Sequence, residues 1–93
     1  VVHQLKTLPW YFKAVKNETK TFEVRKNDRN YKVGDTLILN EYNKKHNFTG
    51  SYLKVEVTYV LKDTRFVKFG FVILGIKVIP FPDFPELQEY PMW

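Results

Sequence analysis

The sequence predicts a mainly β domain (α+β) with one short N-terminal helix, a small and partly open barrel of about five to six strands. Three observations carry this expectation. Thr21–Arg25 and Ser51–Lys62 alternate apolar and polar residues with a period of two. Phe71–Ile79 is almost continuously apolar, as a central strand covered on both faces is. Pro9, with Leu8, Phe12 and Val15 at spacings of four and three, marks a single short helix. Five short strands in 93 residues favour a sheet that curls toward closure, because closure hides strand edges.

Along the chain, Val1–Lys6 alternates and reads as a first strand. The Pro9 helix runs to about Lys16, and the polar Asn17–Thr19 ends it. In Thr21–Arg25, Phe22 and Val24 face one way while Thr21, Glu23 and Arg25 face the other. Lys26–Asn30 and Val33-Gly34-Asp35 are turns, and Thr36–Tyr42 is the next strand, with Leu37 and Leu39 on one face. Asn43–Gly50 reads as a polar loop carrying Lys44-Lys45-His46. The long strand that follows puts Leu53, Val55, Val57, Tyr59 and Leu61 on a shared face. After the polar connection Asp63–Lys68, the last strand is interrupted only by Gly75, which suggests a bulge or a close approach. Residues 1–79 form the barrel domain. Residues 80–93 form a tail rich in proline and aromatics, too apolar to be solvated, which is expected to pack on the barrel or on a neighbouring chain and so to offer a route to a homo-oligomer.

Composition narrows the function classes. The 93 residues suit one domain, 44% hydrophobic and 17% aromatic, well above the composition of a disordered chain. With no cysteine there is no disulfide, no thiol nucleophile and no thiolate metal site. Two histidines far apart in sequence make a zinc centre improbable, so no metal and no cofactor is expected. No apolar run reaches the roughly 20 residues of a membrane span, and no leader pattern opens the sequence. A cytoplasmic protein without membrane contact is expected. Fifteen Lys and Arg against ten Asp and Glu leave a net charge of +5, which draws phosphate groups or serves solubility alone.

The chemically informative segment is Lys20-Thr21-Phe22-Glu23-Val24-Arg25. Glu23 and Arg25 stand two apart on one strand face, with Lys20 at the strand's entrance. A carboxylate between two cations stays ionised, and the set offers donors for a phosphate and an acceptor for a base amino group. The competing reading is a solvated strand face whose charges pair at little gain. Tyr31, Tyr42, Phe48 and Tyr52 lie near Lys32, Lys44 and Lys45, an arrangement that suits base stacking if it is not simply barrel rim. In the stacking reading, Lys44 and Lys45 are contacts for a nucleic-acid backbone.

Lys20, Glu23 and Arg25 resemble the Gly-x-Lys-x-x-Glu-x-Arg pattern of the ASCH family, whose members are PUA-like β-barrels. Together with His3-Gln4-Leu5-Lys6-Thr7 and Val33-Gly34-Asp35-Thr36, the sequence looks like a compact branch of that family found in bacteria and phages, of unknown function. Glu18 stands where the pattern has glycine, so the turn into the strand is expected to be made differently. The resemblance implies a pocket between the strand of Glu23 and Arg25 and the helix before it, binding RNA or a single nucleotide. Its candidate residues are Lys20, Glu23 and Arg25, with His3 and Lys6 at the rim. His3 alone is as well read as a structural residue, and Asn27, Asp28 and Arg29 as turn formers. Two alternatives remain. One is a hydrolase acting on a modified nucleobase or an RNA phosphodiester through Glu23 and Lys20; the threonine nucleophile of those ASCH-like proteins that resemble amidohydrolases is missing, since Glu23 occupies that position. The other is a protein-interaction module working through the aromatic tail.

Overall fold

The computed structural model describes residues 1–80. The expectations placed on the proline- and aromatic-rich tail therefore lie, beyond Pro80, outside the described residues.

The elements follow the order β1 (Val2–Thr7), α1 (Pro9–Lys16), β2 (Phe22–Lys26), β3 (Thr36–Asn43), β4 (Asn47–Leu61) and β5 (Phe71–Val78). The five strands form one sheet in the order β1-β3-β4-β5-β2. β1 runs parallel to β3, and all other neighbours are antiparallel. The two strands that flank α1 in sequence are thus the two edges of the sheet. The sheet curls until those edges meet: Arg25 Nη2 donates to Lys6 O at 2.8 Å, and Arg29 Nη1 donates to Gln4 O at 2.9 Å. Residues two apart in a strand aim their backbone groups to the same side, so Gln4 and Lys6 present both carbonyls to this seam. The mainly β fold, the strand count and the single short helix are as the sequence predicts.

The core lies inside the curl. Leu37 and Leu39 of β3, Val55 and Val57 of β4, and Val72 and Leu74 of β5 are fully buried. Phe12 and Val15 on the buried face of α1 close one side of it, as their spacing requires. Helix α1 starts at Pro9, whose missing N–H falls where no helical partner exists. It ends on Asn17, and the next residue, Glu18, takes a left-handed φ of 61°. Thr19 N and Lys20 N then both return to Ala14 O, at 3.0 and 3.1 Å. The turn is therefore made as a glycine would make it, and the expectation of a different turn is corrected. Glutamate occupies the left-handed position despite its Cβ, at a cost of about 1 kcal/mol.

Three further readings change. The stretch Asn43–Gly50 is not a loop. β4 already begins at Asn47, and only Lys44-Lys45-His46 turn between the strands. Asn43 Oδ1 accepts from Lys45 N at 2.8 Å, His46 N bonds Asn43 O at 3.1 Å, and Asn47 follows at φ 64°. Polar composition there reports exposure, while Tyr42↔Phe48 and Asn43↔Asn47 continue the ladder. Second, the shared face of β4 breaks after Val57. Thr58 is an extra residue opposite the Ile76–Gly75 step, so Tyr59 turns out to 63% exposure and Val60 packs on the core instead. Gly75 is the close approach that its sequence position suggests, because a Cβ there would lie 3.0 Å from Thr58 Oγ1 and 3.3 Å from Tyr59 Cβ. Third, β5 is central, but only Val72, Leu74 and Ile76 are buried on it, and the intervening residues are partly covered.

Candidate functional site

On β2 the alternation holds, and the face turned inward is the charged one. Phe22 and Val24 are left about half exposed, whereas Glu23 is only 3% exposed. The strand is an edge backed by the curl, so its inner face looks across the seam toward the end of β1 and the start of α1. A buried carboxylate is costly unless its lone pairs are taken, and here they are. Glu23 Oε1 accepts from Arg25 Nε at 3.0 Å and from Arg25 Nη2 at 2.8 Å. Oε2 accepts from Lys20 Nζ at 2.8 Å. The left-handed turn at Glu18 delivers Lys20 to this place.

Each cation is also held from a second direction. Arg25 Nη2 reaches Lys6 O at 2.8 Å and Thr7 Oγ1 at 3.2 Å on β1. Lys20 Nζ donates to Phe22 O at 2.6 Å and lies 4.9 Å from the Phe22 ring and 5.2 Å from the Tyr11 ring. Lys6 Nζ stands 4.6 Å from the centre of the Tyr42 ring.

The Glu23–Arg25 pair does not fill the space. Beside it a cavity of about 470 Å³ is lined by Lys6, Thr7, Leu8, Tyr11, Lys20, Phe22, Glu23, Val24 and Arg25. That volume is in the range that accepts a small ligand. Its polar inventory is unbalanced. Among the described residues, one N–H of Lys20, both N–H groups of Arg25 Nη1 and the ammonium of Lys6 make no hydrogen bond within the protein. Against these donors stand one remaining lone pair on Glu23 Oε2 and the hydroxyls of Thr7 and Tyr11, which can donate as well as accept. The arrangement is built to receive a ligand richer in acceptors than in donors.

Lys6, Lys20, Glu23 and Arg25 thus come together as the sequence suggests. His3 does not join them. Its Nε2 is bonded to Asp35 Oδ2 at 2.8 Å and its ring meets the Tyr31 ring edge-on at 4.8 Å, so the rim assignment is corrected to a structural one. Burial pushes the Asp35 carboxyl up, but the His3 bond and the Lys32 N–H outweigh it and hold it below the ordinary value. Tyr31 is core, and burial raises its phenol above the ordinary range. Lys44 and Lys45 are exposed in the β3–β4 turn and do not line the cavity. Arg29 does more than shape a turn, since it bonds Gln4 O across the seam. Sequence reasoning missed Tyr11 and Phe22 as walls. Their signal was an aromatic just off the apolar stripe of α1 and another on the outward side of β2. Among the described residues no three His, Cys, Asp or Glu side chains gather, and no helix is long and apolar enough to cross a membrane.

Comparison with known proteins adds kinship. The model of a family described as a domain of unknown function (DUF3850) matches residues 2–76. An uncharacterized 12.9 kDa protein in the GpA 3′ region of Escherichia phage P2 is 42% identical over 59 residues, which are 63% of this chain and 53% of that protein. The chain therefore spans about half the length of this relative. The crystal structure of the hypothetical protein PH0355 is similar with a TM-score of 0.59 and 20% identity, over 85% of this chain and 100% of that one. At that identity the likeness is one of fold.

Proposed function

The chain belongs to DUF3850, a family of domains of unknown function, and from that premise we propose that it binds RNA or a nucleotide in the cavity of Lys6, Lys20, Glu23 and Arg25. The observation that carries the reading is the donor surplus of a walled cavity whose only carboxylate is already neutralised by two cations. A phosphate or the carbonyl edges of a base meet unpaired N–H groups there. A base amino group meets the last lone pair of Glu23 Oε2, and the exposed rings of Tyr11 and Phe22 offer apolar faces. The net charge of +5 favours encounter with a polyanion. The Lys20, Glu23, Arg25 spacing, now with the left-handed turn at Glu18 that the pattern's glycine would make, supports grouping the chain with ASCH-like PUA barrels.

The same geometry weighs against the hydrolase alternative. A general base takes a proton on an open lone pair, and three charged hydrogen bonds leave Glu23 a single one, on Oε2, the same lone pair that would receive a base amino group. The interaction module built on the tail concerns residues 81–93, which lie outside the described residues.

The test is direct binding of short ribo- and deoxyribo-oligonucleotides at low and high salt, for the wild type and for Lys6→Ala and Lys20→Ala. These variants leave the two Arg25 bonds to Glu23 in place, so the fold is expected to survive. Saturable binding that weakens with salt and falls at least about fivefold in either variant supports the site. Absence of binding at both salts, or equal binding by both variants, removes it.

A further inference from the structure

A second hollow of about 390 Å³ adjoins the first and shares Lys6 and Arg25 with it. It lies along the seam on the other side of the Arg25–Lys6 bond, and its remaining walls include Gln4, Arg29, Asn40 and Phe48. A third hollow of about 380 Å³ continues from it, sharing Gln4, Asn40 and Phe48. The division of residue types is the informative point. What the first two hollows share is cationic. What the second adds to that pair is, beside an Arg29 guanidinium engaged with Gln4 O, suited to a base: a half-exposed phenyl ring and a pair of side-chain amides.

The amides are pre-set. Asn40 Nδ2 donates to Gln4 Oε1 at 2.9 Å, which fixes both groups and leaves Gln4 Nε2 as donor and Asn40 Oδ1 as acceptor for an outside partner. A donor and an acceptor held side by side match the edge of a nucleobase. Phe48 is braced edge-on by Tyr42 at 5.2 Å, with Lys6 Nζ 6.0 Å from its ring centre. The third hollow brings in Glu41, whose Oε1 accepts from Thr49 Oγ1 at 2.8 Å. A carboxylate there repels a further phosphate and closes the run.

Resting on the function proposed above, we infer that the ligand is a single-stranded nucleic acid read as two successive nucleotides. One base sits in the Lys20–Glu23 cavity, the next lies against Phe48 and the Gln4–Asn40 amides, and the linking phosphate is held between Lys6 and Arg25. A mononucleotide fills half of such a site. A duplex does not enter it, because its bases are stacked and paired.

The experiment compares nucleoside 5′-monophosphates, their dinucleotides and tetranucleotides, in ribo and deoxy forms, by titration calorimetry. The dinucleotide is expected to bind about tenfold or more tighter than the monophosphate, the scale of one added base–aromatic stack, and the tetranucleotide to add little. In Phe48→Ala the two affinities converge. Phe69→Ala, an exposed aromatic in the β4–β5 connection, keeps the difference. If the monophosphate binds and the dinucleotide binds no tighter, or if Phe48→Ala keeps the gain, the second seat is overturned while the first stands. If no nucleotide binds to the folded protein, the first cavity's reading fails and the second seat goes with it.

Discussion

Arg25 Nη2 lies 2.8 Å from the carbonyl oxygen of Lys6, and this bond joins the two edges of a five-stranded sheet. The same guanidinium neutralises Glu23, so one side chain serves both closure of the sheet, shared with the Arg29–Gln4 bond, and charge balance of the cavity, shared with Lys20. β1 and β2 would otherwise present unpaired backbone groups to other chains.

Replacing Arg25 by Gln leaves the buried carboxylate of Glu23 with Lys20 alone and the seam with the Arg29–Gln4 bond. A loss of about 2–4 kcal/mol is expected, the scale of breaking a mostly buried ion pair from one side. Adding Glu23→Gln to Arg25→Gln should restore at least about 1 kcal/mol, because the orphaned charge is then gone. Urea unfolding of the two single variants and the double variant measures this, and strictly additive losses would contradict the coupling.

Glu18 sits at φ 61° with a Cβ that this conformation disfavours. Glu18→Gly relieves that cost and adds chain entropy to the unfolded state, for a net gain of about 0.5–1 kcal/mol. In a domain this small the melting temperature should rise by about 3–6 °C. A lower melting temperature would mean that the glutamate side chain contributes a contact of its own.

Asp35 has its folded pKa held below the ordinary 3.8. The sign follows from linkage: the unfolded state binds the proton more readily. The stability this carboxylate contributes is therefore present above the unfolded pKa and lost as pH falls through the folded one. Denaturant midpoints taken from pH 5 down to about pH 2 should fall less steeply for Asp35→Asn than for the wild type. Parallel slopes would show that other carboxyls dominate acid unfolding.

Gly75 faces the extra residue of β4, and a Cβ there would meet Thr58 Oγ1 at 3.0 Å. Gly75→Ala is expected to cost about 1–3 kcal/mol by overpacking. Thr58→Ala in the same chain should recover part of the loss, while Tyr59 Cβ, 3.3 Å from the added group, keeps the recovery incomplete. Thermal unfolding of both variants checks it, and a neutral Gly75→Ala would show that the bulge yields without cost.

Much of this was legible because it is local. The alternation of Thr21–Arg25 reports a strand whatever it packs on, and Pro9 with Phe12 and Val15 reports an amphipathic helix. Period-two patterning does not say which face looks inward. That depended on the curl bringing β1 against β2, where Lys6 and Thr7 complete the bonds of Arg25. The start of β4 was hidden because exposed strand residues have the composition of a loop. The reversal at Tyr59 was hidden because one extra residue, Thr58, is invisible to a strict alternation. His3 was placed at the pocket by its strand, whereas its buried ring answers to Asp35, 32 residues away.

The strand order has a consequence for how the molecule assembles. β3, β4 and β5 are consecutive antiparallel neighbours and form a meander on their own contacts. β1 and β2 come earlier in the chain, yet they dock on opposite flanks of that meander, β1 on β3 and β2 on β5. Non-local pairing costs loop entropy before it returns any binding, so the meander is the natural nucleus and the leading segment closes on it afterwards. The cavity is walled by that leading segment, from Lys6 to Arg25. Loop entropy thus favours building the scaffold first and the site last, and a chain halted before β5 has no flank on which to hold Glu23 and Arg25.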